Sequence, residues 1–162
     1  MDMKKMTDKL QDAFVSAQDI ALKQKNPELN EFHLLSALIS QDDSMLARVL
    51  SESGRPVKQF TEELQTELSK LPQVSGTNSG LYMSSSLQTI LDAAEKQMHE
   101  FDDEYLSVEH ILLAIVKENK HGIKKLFAPF DITYQSMLAI IKQIRGNQRV
   151  TSQNPENTYE VL

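Results

Sequence analysis

Apolar residues recur along this chain at the spacing of one helical face after another. From Thr7 onward, Leu10, Ala13, Phe14, Ala17, Ile20 and Ala21 follow the i, i+3, i+4, i+7 rule that lays a stripe along one side of an α-helix. Thr7 is placed to cap that helix, since its hydroxyl can accept from an amide that the first turn leaves unpaired. Asn30 starts a second helix carrying Phe32, Leu35, Leu38 and Ile39, and Ser44 a short third one that runs to Leu50 and stops at Gly54. Pro56 suits the first turn of a fourth, with Val57, Phe60, Leu64, Leu68 and Leu71 facing inward. The stretch LPQVSGTNSGLYMSSS, from Leu71 to Ser86, is rich in Gly, Ser, Asn and Pro and reads as a loop.

The same order of elements then begins again. Ser84 caps a helix bearing Leu87, Ile90, Leu91 and Ala94, and Ser107 caps one bearing Ile111, Leu112, Ile115 and Val116. Ile123, Leu126 and Phe127 form a short helix ended by Pro129. Tyr134, Met137, Leu138, Ile141 and Ile144 lie on the last helix, which stops at Gly146. A shift of 77 lays residues 7–68 on 84–145 without a gap, although only seven of the 62 pairs are identical. Caps, stripes and loops coincide nonetheless: Thr7 with Ser84, Asn30 with Ser107, Leu35 with Leu112, Leu64 with Ile141. One four-helix unit is used twice. The predicted fold is all-α, eight helices in two pseudo-symmetric four-helix repeats (7–71 and 84–145, joined by 72–83). Units of about 60 residues would each be marginal alone, so both are expected in one globular domain spanning 1–145. The polar, aperiodic 146–162 reads as a linker.

Composition narrows the chemistry. The net charge of −6 and the lack of compact Lys/Arg clusters argue against nucleic acid and anionic membrane as partners. There is no cysteine, hence no disulfide, thiolate metal site or cysteine nucleophile. The start MDMKKMTDKLQ lacks the apolar core of a signal peptide, and no apolar run approaches 18 residues, so a soluble, cytoplasmic protein is expected.

His33 and His110 are equivalent positions, each three residues after its cap, where an imidazole can serve as the third residue of a capping box. Duplication accounts for both, so a structural role is predicted rather than catalysis. His99, His110 and His121 are spaced by eleven, but Asp102–Asp103 and Asn119–Lys120 break any continuous helix, and H-E-x-x-H is absent; no metal is expected. The acidic run Glu100–Glu104 lacks the spaced ligands of a calcium loop and reads as a solvated helix end or the rim of a peptide groove. Gly76–Gly80 is not a phosphate loop, since no Gly-Lys-Ser/Thr follows it. No enzyme is predicted.

The paired EFHLLSALI and VEHILLAIV segments, the KLPQVSGT junction and the exit QIRGNQRV…SQNPENTYEVL together resemble the N-terminal double-repeat domain of the Clp AAA+ unfoldases, on the disaggregating-chaperone side of that family. The resemblance covers Thr7 to Leu162. It implies a parent with two ATPase modules and a coiled-coil middle domain, assembled as a hexamer and cooperating with Hsp70-system chaperones. No Walker motif occurs in these 162 residues, so ATP and Mg are expected only in those further modules, and no cofactor here. For this stretch, monomeric by itself, the resemblance implies capture of exposed apolar segments of unfolded or aggregated proteins. The second repeat departs from the first in one respect: Glu109 precedes its His where Phe32 stands in the other.

If the first helices of the repeats lie side by side, a groove is expected at their starts. Thr7 and Leu10 would line one side, Ser84, Leu87 and Leu91 the other, with Asp103 and Glu109 as an acidic rim. A docking module for a folded adaptor draws on the same surface, and a metal-dependent enzyme using the four histidines is the third reading.

Overall fold

The computed structural model describes residues 2–75, 80–118 and 120–155. Thr7, in extended backbone, caps helix α1 (Asp8–Lys23) by accepting the Leu10 amide at 3.3 Å. Ser84 does the same for α5 (Ser85–Glu100), accepting from Leu87 at 3.1 Å. Between them come α2 (Glu31–Ile39), α3 (Met45–Ser51) and α4 (Val57–Ser69), and after α5 come α6 (Val108–Glu118), α7 (His121–Phe127) and α8 (Tyr134–Arg145). These eight α-helices among the described residues form the all-α fold that the periodicity predicts, in the predicted order. Starts related by 77 residues agree within one position, and the backbone repeats even where residue types do not. Lys25 and Asp102 both turn left-handed after their helices (φ 58° and 59°), as do Gly54 and Asp131 (79° and 54°).

Periodicity does not predict the two short extended pairings. Glu28–Leu29 (β1) pairs in parallel with Tyr82–Met83 (β2), matching Leu29 with Met83. The other is a single parallel bridge, Met6 with Leu106. Adding 77 to Met6 and Leu29 gives Met83 and Leu106, so the two pairings are one contact made twice, with the repeats exchanging roles. The Thr7 amide donates across to the Leu106 carbonyl at 2.9 Å, and the Ser84 amide to the Leu29 carbonyl at 2.8 Å. Each repeat thus satisfies the other's helix entrance.

Within each repeat the first helix lies on the second and the second on the fourth; across the junction α4 meets α7, and α3 meets α6 and α8. One apolar core runs through both units. Phe60 of α4, fully buried, sets its ring edge-on to Phe127 (5.2 Å) and Phe130 (6.1 Å) of the second repeat. The 146–162 stretch does not leave the body at Gly146: Val150 is fully buried and Pro155 is buried, while 156–162, and 76–79 of the junction, lie outside the described residues.

Because the aromatic cluster is shared, Phe60→Ala should lower stability by about 3–5 kcal/mol while leaving one cooperative transition. Urea unfolding followed by circular dichroism and by the fluorescence of the chain's tyrosines should give coincident curves. Two separate transitions would mean that the repeats fold independently.

Candidate functional site

The two histidines anchor the site. Asn30 caps α2, its Oδ1 accepting the Phe32 amide at 2.9 Å, and the Asn30 amide in turn donates to His33 Nδ1 at 3.0 Å. A nitrogen that accepts an N–H carries no proton, so the ring's proton sits on Nε2 and is donated to Asn26 Oδ1 at 2.8 Å. The second repeat has the same arrangement. The Ser107 amide donates to His110 Nδ1 at 2.8 Å, and His110 Nε2 donates to Asp103 Oδ2 at 2.7 Å. Both rings are fully buried with both nitrogens engaged, which leaves no lone pair for a general base.

Asn26 and Asp103 are themselves 77 apart, and here the repeats part company. Asn26, with an amide, accepts from His33 and donates Nδ2 to the Pro72 carbonyl at 2.9 Å. Asp103, a carboxylate, can only accept. It receives His110, both terminal nitrogens of Arg145 (2.8 and 2.7 Å) and the Val150 amide at 2.8 Å. Those four donors fill its acceptor sites. Leu68 occupies the position of Arg145 in the first repeat and Phe32 that of Glu109, so the first repeat builds the same place without charge. Arg145 also lies over the Phe101 ring at 5.0 Å, and its Nε sits 3.6 Å from Glu109 Oε2. The result is a buried acid–Arg–acid cluster beneath the chain exit.

The exit folds over it. The Val150 carbonyl accepts the Glu104 amide at 2.7 Å and the Gln153 carbonyl accepts the Asp8 amide at 2.6 Å. Gln153 Nε2 donates to the carbonyls of Lys4 (3.1 Å) and Met6 (3.3 Å), and Arg149 Nε to Asp102 (3.1 Å). Residues 147–155, within the stretch read as a linker, form a strap from the end of α8 to the start of α1.

The expected groove is corrected accordingly. Leu10, Leu87 and Leu91 are fully buried core residues, because the helix starts interlock instead of opening. Thr7 is buried as a cap. Asp103 and Glu109 are no solvated rim: both carboxylates are buried beside Arg145. The acidic run is therefore divided, with Asp102 and Glu104 exposed and Asp103 turned inward. Sequence reasoning missed Asn26, Arg145, Val150 and Gln153. For the first two the signal was available, since the 77 shift sets Asn26 under Asp103 and Leu68 under Arg145. Among the described residues no group of three or more His, Asp or Glu is disposed to hold a metal, and no helix is long and apolar enough to cross a membrane.

Burial lowers the His33 pKa to about 4. Burial pushes the Asp103 carboxyl up, but the hydrogen bonds from His110, Arg145 and the Val150 amide, with the Arg145 charge, outweigh it and hold the group at about 2. Unfolded His33 takes a proton near pH 6.5 and folded His33 only near 4. Its share of stability is therefore whole above about 6.5, falls with pH and levels off below about 4. The loss approaches about 3 kcal/mol. The share of Asp103 is present above its unfolded pKa of 3.8 and is lost as pH falls toward about 2. His33→Gln, which can still complete a capping box, should flatten the urea midpoint between pH 6.5 and 4 and leave the lower decline in place.

A family model described as the Clp repeat (R) N-terminal domain matches residues 5–130. The chaperone protein ClpB of Clostridium tetani is 38% identical over 165 residues, covering this whole chain and 19% of that protein. The chain thus spans about a fifth of the length of such curated relatives. Among solved structures, the Hsp104 N-terminal domain from Candida albicans has the same fold, with a TM-score of 0.82 at 23% identity over 93% of this chain and 98% of that one. A complex of a ClpV N-domain with a VipB peptide gives a TM-score of 0.71 at 19% identity, over 86% of each chain. The chain belongs to the Clp repeat (R) N-terminal domain family.

Proposed function

We propose that this domain captures exposed apolar segments of unfolded or aggregated proteins and presents them to an AAA+ ring carried elsewhere in a longer cytoplasmic protein. One observation carries the reading. Of the large apolar side chains that reach solvent among the described residues, Met3, Tyr82 and Met83 all lie on the segments leading into α1 and α5. Val15 and Leu22, on the outer face of α1, are the others. Tyr82 and Met83 lie on the strand β2, and exposed apolar side chains on extended backbone suit an extended apolar ligand, whose main chain can pair while its side chains bury; Met3, in a single 3-10 turn, adds apolar surface ahead of α1. Glu28 is exposed on β1, opposite Tyr82, which favours clients with Lys or Arg beside their apolar residues at that edge. A client must be passed on, so binding is micromolar or weaker, about −8 kcal/mol or less in magnitude. ATP and Mg act in the ring, which works as a hexamer alongside Hsp70-system chaperones.

A second reading, docking of a defined adaptor, is favoured by the ClpV N-domain relative, whose complex contains a single peptide partner. Competition separates the two: generic unfolded protein displaces a client but leaves a dedicated adaptor bound. Titrating the labelled chain with a permanently unfolded protein should move the amide signals of Met3, Tyr82 and Met83. The double substitution Tyr82→Ser, Met83→Ser should weaken that binding by about tenfold, the loss of roughly 1.4 kcal/mol of apolar burial. Unmoved signals, or unchanged affinity in the variant, would count against capture at these segments.

A further inference from the structure

The strap is an occupant as well as a connector. Val150 sits in a fully dry seat, its amide on Asp103 and its carbonyl on the Glu104 amide. Three residues on, Gln153 offers its carbonyl to the Asp8 amide, one of the unpaired donors of the first turn of α1, and its side chain to the carbonyls of Lys4 and Met6. The intervening Thr151 and Ser152 are exposed. Main-chain bonds at Val150 and Gln153 hold the segment, and the buried Val150 side chain and the Gln153 side-chain amide give the seat its selectivity. We infer that the surface between Lys4–Asp8 and Asp103–Glu104 is a binding site for a client segment with a β-branched residue three positions ahead of a Gln, the strap being its occupant in cis. The inference rests on the client-capture reading above and adds the recognised pattern. It also adds a consequence: a client that takes the seat frees the chain beyond Gly146.

Internal symmetry explains why there is one such seat and not two. In the first repeat the equivalent of Glu104 is Pro27, which has no amide to donate, and Asn26 already turns its Nδ2 to Pro72. The residues equivalent to the strap's anchor accordingly differ: Gln73 is exposed where Val150 is buried. With the strap removed, only the second repeat would offer both a free acceptor site, on Asp103, and a donor, the Glu104 amide, to an incoming backbone.

The test uses the whole chain and, as probe, a labelled peptide with the sequence of Asn147–Asn154, NQRVTSQN. Val150→Asp sets a carboxylate against Asp103 and should expel the strap, speeding hydrogen exchange at the Asp8 and Glu104 amides at least tenfold with the α2 and α6 amides unchanged. The peptide should bind this variant at least tenfold more tightly than the parent chain and slow exchange at those two amides again. A peptide with Asp for its Val and Ala for its second Gln should bind neither. Val150→Gly, which removes only the side chain, carries the same comparison if Val150→Asp loses helix. Equal affinity for parent and variant, or binding that leaves the Asp8 and Glu104 amides unprotected, overturns the seat. A permanently unfolded protein should then displace the peptide. If it binds the chain but leaves the peptide in place, the seat is not the client site, although capture stands. If it binds neither form, capture itself fails.

Discussion

The domain depends on an exchange of main-chain hydrogen bonds between its halves. A four-helix unit of this size exposes the amides at the start of its first helix and a carbonyl in the loop before its second, and cannot satisfy both from within. Thr7 donates to Leu106, and Ser84 donates to Leu29. Burying these groups is tolerable only because each finds its partner in the other repeat. The apolar consequences follow: with the helix starts locked together, Leu10, Leu87 and Leu91 have no exposed face, and Phe60 can reach Phe127 and Phe130.

Within that shared frame the repeats have diverged at one constellation. Asn26, Phe32 and Leu68 in the first become Asp103, Glu109 and Arg145 in the second, around an unchanged histidine cap. A buried ion cluster of this sort adds little net stability, because removing charges from water costs about as much as their pairing returns. What it does provide is a demand for donors. A carboxylate that can only accept draws in the Val150 amide, whereas the Asn26 amide, which also donates, is content with a carbonyl from Pro72. The acid at Asp103 in place of Asn26, together with a Glu104 amide where Pro27 has none, thus sets which way the chain leaves each repeat.

That difference places the exit segment of the second repeat across the start of α1 and brings both ends of the described chain to one edge. The same edge carries Asp8 and the segment from Met3, so changes at the exit and changes at the exposed apolar surface act on neighbouring hydrogen bonds.

Much of the fold was legible in the sequence, because helices are written in local interactions. Apolar stripes report the face of each helix, the hydroxyl or amide before each stripe its cap, and the 77-residue shift the duplication. The histidine capping position is legible for the same reason: its partner is three residues away. The sequence could not show which polar residues are buried, since that depends on partners far along the chain. Asp103 meets Arg145 across 42 residues, and Gln153 meets Lys4 across 149. Read alone, Asp103 and Glu109 look like surface acids and the stretch from Gly146 like a tether. Only the tertiary structure, by setting one guanidinium and one backbone amide beside Asp103, turns the acids inward and the tether into a strap.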